Sequence, residues 1–109
     1  MSDMCDHIMS DIPKVKIMGL DYDIEFVEQI DKHTRLSGQI DYAGQVIKIE
    51  KGMKKGLTGR TLLHEILHGV LDGLGYSDIR DNEQLIDGLS AALHQVIKDN
   101  FEIISSWCL

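Results

Sequence analysis

Apolar residues recur along this chain with two different spacings, and the change falls between residues 50 and 58. Before it, the period is two. The runs KVKIMG and YDIEFVE are short and rich in Val, Ile, Tyr and Phe, which predicts two strands with GLD as the turn between them. GQIDYAGQVIKIE predicts a hairpin turning near Ala43-Gly44, with Ile47 and Ile49 alternating with Lys48 and Glu50. The piece between these pairs, QIDKHTRLS, keeps neither period and reads as a loop. Pro13 is the only proline and marks where order is expected to begin, so residues 1–12 are expected to be poorly ordered.

After the change, the period is helical. Leu63, Leu67, Val70 and Leu74 lie on one stripe, widened by Leu62, Ile66 and Leu71. Thr58 is placed to cap this helix and Gly75 to stop it. A second helix is predicted from Asp81 to Lys98, capped by Asp78 or Asp81. Its apolar stripe is Leu85, Leu89, Ala92, Leu93, Val96 and Ile97. GYSD between the helices demands a sharp turn, and the tail FEIISSWCL is ambiguous. The order of elements predicts an α+β fold: one domain over residues 1–109, a small antiparallel sheet followed by two packed helices.

Composition narrows the function more than the fold. At 109 residues the core is small, so a bound metal would also contribute to stability. Eighteen acidic and eleven basic side chains give a net charge of −7, which argues against nucleic acid as the main partner. The opening MSDMCDHIMS has no apolar core of signal-peptide length and no window approaches a membrane span, so a cytoplasmic location is expected. Cys5 and Cys108 form no disulfide framework and are expected as reduced thiols; Cys5 with His7 is a weak metal pair.

The chemistry concentrates in GRTLLHEILHGVLDGLGY. His64 and His68 are four residues apart with Glu65 directly after the first, an H-E-x-x-H pattern on a helix predicted independently by leucine spacing. Residues i and i+4 are offset by only about 40° around a helix, so both imidazoles reach one ion. Zinc takes such nitrogen donors at about 2.0–2.1 Å. Glu65 is rotated by about 100° from His64 and stands beside the ion, placed to take a proton from water. The bland alternative, two surface histidines, leaves a His-Glu-His set on the edge of a mostly buried helix without a role.

A zinc site that keeps a position open for water needs a third protein ligand. NEQLID on the second helix supplies it. Glu83 lies near the start of that helix, and Asp87 is one turn further on, where it can accept the outer ring N–H of a ligating histidine and fix its tautomer. Asp87 as the ligand in place of Glu83 is the competing assignment. Glu83 also simply suits a helix N-terminus electrostatically.

H-E-x-x-H followed on a later helix by N-E-x-x-x-D resembles the gluzincin arrangement of thermolysin-like peptidases. Over a longer stretch, from VKIMGLDYDI through GQIDYAGQVIKIEKGM and TLLHEILHGVLDGLG to NEQLIDGLSAALHQVIKDN, the chain resembles the ImmA/IrrE family of metallopeptidases. That resemblance implies a minimal zincin-like core, a phage or mobile-element origin, and action in the bacterial cytoplasm, often on a repressor protein. It also implies His64, His68 and Glu83 as zinc ligands and Glu65 as the catalytic base.

The expected activity is zinc-dependent hydrolysis of a peptide bond in a protein or peptide substrate, with Glu65 as general base. His94, Tyr76 and Tyr42 are candidates to stabilise the oxyanion, although His94 lies about 16 Å beyond Glu83 along its helix at 1.5 Å per residue. The strand QVIKIE is expected to offer an edge for an extended substrate. Two rivals stand beside the enzyme. One is a catalytically silent zinc-binding module such as an anti-repressor. The other is a structural site closed by His94 or Cys108.

Overall fold

Met18 and Gly19 both take positive φ, 51° and 86°, so the chain reverses in two residues and pairs β1 (Lys14–Ile17) with β2 (Leu20–Val27). The turn is therefore Met18-Gly19; Leu20 and Asp21 of the expected GLD turn already belong to β2. A second reversal, between β3 (Gly38–Asp41) and β4 (Val46–Glu50), is held by Asp41, whose Oδ1 accepts from the Gly44 N–H at 3.0 Å. This is the hairpin expected around Ala43-Gly44. The structure, a computed structural model, describes residues 12–30 and 37–109. Expectations about residues 1–11, including Cys5 and His7, and about 31–36 within QIDKHTRLS lie outside the described residues.

The fold is α+β, as the change of period predicts, but the sheet is mixed. Its order is β1-β2-β4-β3, and β2 pairs with β4 in parallel from Asp23↔Val46 to Val27↔Glu50. Two adjacent hairpins suggest an antiparallel sheet. Here the second hairpin inserts its later strand beside β2, which places the fully buried Ile47 and Ile49 at the centre of the sheet and β3 at its edge. Ile17, Tyr22, Ile24, Ile47 and Ile49 form the core of one face, and Leu62, Ile66 and Val70 pack against it.

Those last residues belong to α1 (Lys55–Gly73), the helix that carries the histidines. It starts three residues before the expected cap. Thr58 lies inside it, its hydroxyl donating to the Lys54 carbonyl at 3.1 Å. The C-terminal stop is at Gly75, as expected. Its φ is +83°, and the bonds Tyr76 N–H to Leu71 O and Gly75 N–H to Asp72 O close the helix.

A short helix, α2 (Ser77–Arg80), occupies the turn before α3 (Glu83–Asp99). The cap of α3 is Asn82, whose side chain accepts from the Leu85 N–H at 3.1 Å; neither Asp78 nor Asp81 plays that part. The ambiguous tail is a further helix, α4 (Phe101–Cys108). Among the described residues, no helix is long and apolar enough to cross a membrane.

Candidate metal centre

Helix α1 carries His64, Glu65 and His68, and the Asn82 cap sets Glu83 as the first residue of α3. The turn through α2 folds the start of α3 back over the second half of α1. The result brings one ligand atom from each of His64, His68 and Glu83 within 4.8 Å of one another. The two Nε2 atoms are 3.3 Å apart. Glu83 places Oε1 at 3.0 Å from His64 Nε2 and Oε2 at 2.7 Å from His68 Nε2.

The outer nitrogens define which lone pairs face inward. His68 Nδ1 lies 2.5 Å from the Arg80 carbonyl, and a carbonyl only accepts, so Nδ1 carries the proton. His64 Nδ1 lies 3.4 Å from Asp87 Oδ1, on the side opposite Glu83. With His68 Nδ1 protonated, its Nε2 lone pair faces His64 Nε2 and the Glu83 carboxylate, a set of donors that a cation would hold together. Two donors at about 2.05 Å from a tetrahedral ion are about 3.3 Å apart, the separation found between the two rings. The three residues are therefore close enough to hold a metal ion.

Arg80 is held in turn. Its guanidinium bonds Asp72 at 2.8 Å and Asp81 at 3.1 Å, and its Cζ lies 4.9 Å from the centre of the Tyr42 ring. Asp72 is on α1 and Tyr42 in the β3–β4 turn, so this one side chain ties α2 to the helix and to the sheet. Sequence reasoning misses Arg80, because the atom that orients His68 belongs to the backbone and no side-chain type announces it.

Glu65 points to the other side of the histidines, toward β3. It is only 6% exposed. Burial pushes its carboxyl up to about 7, with His64 opposing the shift and Glu83 adding to it. Gly38 makes the close approach of β3 feasible. A Cβ there would meet Thr61 Cγ2 at 2.7 Å and Glu65 Oε2 at 2.9 Å. The only hint of this in the sequence is a glycine opening a strand run.

His64, Glu65, His68, Glu83 and Asp87 all line one open cleft of about 790 Å³, together with Tyr42, Arg60 and Gln84. Of the three oxyanion candidates, Tyr42 alone lines this cleft, and burial pushes its hydroxyl up to about 12. Tyr76 is exposed elsewhere. His94 packs against Gly59, its Nε2 at 3.2 Å from where a Cβ would stand, and lines a separate groove. Cys108 is exposed on α4. Neither His94 nor Cys108 closes the site. The strand QVIKIE is β4 and lies inside the sheet; β3 borders the cleft and, among the described residues, has β4 as its one partner strand.

Fold and site together define an α+β domain with two histidines and a carboxylate converging between adjacent helices, and a buried glutamate beside them. Comparisons of the chain with protein-family models, with curated proteins and with solved structures find no match.

Proposed function

We propose that this chain is a zinc-dependent peptidase whose ion is held by His64, His68 and Glu83 and whose general base is Glu65. The observation that carries the reading is the convergence of those three ligand atoms within 4.8 Å, with a buried carboxylate on the next residue of the same helix. Two nitrogen donors and one oxygen donor suit zinc and leave a position for water. When bound, zinc polarises a carbonyl and makes water more acidic. Glu65 takes the proton of the attacking water and delivers it to the leaving amine. The Arg80 carbonyl holds His68 in the tautomer that turns Nε2 toward the ion, and Asp87 stands 3.4 Å from the outer nitrogen of His64. The edge of β3 beside the cleft offers backbone groups to an extended peptide. The resemblance to ImmA/IrrE peptidases supports the same substrate class, with a repressor protein among its members.

Metal analysis of the purified protein is expected to give about one zinc per chain, lost in His64→Ala and His68→Ala. Hydrolysis of a peptide library or host lysate is expected from the wild type. Glu65→Gln should keep its zinc and lose about 10²–10⁴-fold in rate. A chain that cannot be loaded with metal overturns the site. A zinc-loaded wild type that cuts nothing favours the silent binding module, and a Glu65→Gln variant as fast as wild type removes Glu65 as the base.

A further inference from the structure

We propose that Arg60 binds a carboxylate of the substrate, so that the peptidase proposed above, on which this inference rests, selects peptides with an acidic group about two residues from the bond it cuts. Arg60 stands one helical turn before His64 on α1, and Arg60, His64 and His68 recur every four residues along one stripe. At 1.5 Å per residue, Arg60 is about 6 Å along the helix from His64. An extended chain advances about 3.3 Å per residue, so this span corresponds to about two substrate residues.

The strand that borders the cleft runs alongside this stripe. Gly38, at the start of β3, stands against Glu65 and against Thr61, the neighbour of Arg60. Ile40 stands a turn further along α1, its Cδ1 3.2 Å from where a Cβ on Gly69 would be. Tyr42, past the end of the strand, lies under the Arg80 guanidinium. A peptide laid along β3 therefore passes Arg60 at one end of the cleft, the histidines in the middle and Tyr42 at the other end.

Charge singles out Arg60 within this cleft. Each carboxylate that lines it already has a place. Glu83 stands between the two histidines, Asp87 beside His64 Nδ1, and Asp81 on the Arg80 guanidinium, while Glu65 is buried beside Gly38. Arg60 is exposed and is the only arginine or lysine among the described residues that line the cleft. Among the described residues it forms no ion pair, although the chain carries 18 acidic side chains. Its planar guanidinium presents a fork of N–H donors that matches a carboxylate. Leu57, three residues earlier in the same cleft, supplies an apolar wall that strengthens such a pair. The same fork repels a lysine at that place, so the charge also selects against basic peptides.

The test is a cleavage profile of the zinc-loaded full chain. One set of peptides has amidated C-termini and carries Glu, Gln or Lys at a single varied position; a second set carries Gln and ends in a free carboxylate. Glu should be preferred over Gln by about tenfold in kcat/KM at one position. The gain should fall mainly on KM, because an ion pair away from the reacting bond holds ground state and transition state alike. If the recognised group is the terminal carboxylate, the free acid is preferred over the amide by a similar factor. In Arg60→Gln the preference should disappear. In Arg60→Glu it should turn toward Lys, an inversion that lost packing alone does not produce. Calorimetric titration of zinc-loaded Glu65→Gln protein with the preferred peptide and its neutral counterpart should show a similar difference in Kd without turnover. A wild type that cuts acidic and neutral peptides equally, one that prefers Lys, or an acid preference that survives Arg60→Gln overturns the role of Arg60 and leaves the peptidase standing. A wild type that cuts nothing overturns both.

Discussion

Burying the Glu65 carboxylate favours its neutral form, so the metal-free protein should lose stability as that group ionises. Its folded pKa of about 7 stands above the ordinary 4.5. The stabilisation is fully present below about pH 4.5 and is lost as pH rises through 7. In excess chelator, Glu65→Gln should therefore be more stable than wild type at pH 8, by up to about 3 kcal/mol. The advantage should vanish at pH 4.5. Urea unfolding at the two pH values checks this, and equal midpoints at pH 8 would show that the buried carboxylate is solvated well enough to ionise freely. A cation among His64, His68 and Glu83 acts the other way, since a nearby positive charge favours the ionised carboxylate.

At the scale of elements, the first residue of α3 is a proposed ligand, so the cap that fixes this helix end also fixes the site. Asn82→Ala removes the acceptor for the Leu85 N–H and should cost about 1 kcal/mol. It should also weaken zinc binding, because Glu83 then sits on a fraying turn; Asn82→Asp, which keeps an acceptor, should do neither. A competition titration with a zinc indicator and a denaturation midpoint measure the two effects, and unchanged values in Asn82→Ala would separate the cap from the site. The helices and the His-Glu-His set were legible in the sequence because an α-helix brings i and i+4 together whatever surrounds it. Glu83 was legible because a short connection leaves a returning helix few places to go. Other features depend on tertiary placement. The parallel pairing of β2 with β4 is invisible in strands read one at a time. The stripe expected to face inward on α3 is rotated: Ile86 and Ser90 are fully buried, while Leu85, Leu89 and Val96 are exposed. The buried face of α3 is the one that carries Ile86 and Ser90, about 100° around the helix from Leu85 and Leu89. Gly38 and the Arg80 carbonyl are contacts between distant parts of the chain, and residue type alone carries no trace of them.

For the molecule as a whole, an ion that bridges α1 and α3 joins the two largest helices across a small core. Zinc at a hundredfold above its dissociation constant should add about 2.7 kcal/mol. At roughly 4 °C per kcal/mol for a domain of this size, the melting temperature should rise by about 10 °C. Differential scanning calorimetry with and without chelator reads the shift, and His64→Ala should show none. An equal melting temperature in both conditions would mean that the ion does not discriminate the folded chain from the unfolded one. The proposed ligands are also close in sequence, His64 and Glu83 being nineteen positions apart within one continuous helical region. Their meeting requires only the turn through α2, whereas the sheet must join β2 to β4 across the whole intervening hairpin. Contacts between near neighbours in the chain form early in folding, before distant strands find each other. If His64, His68 and Glu83 hold a metal, refolding in its presence is expected to be faster than refolding in chelator, because the binding place is half made before the sheet is.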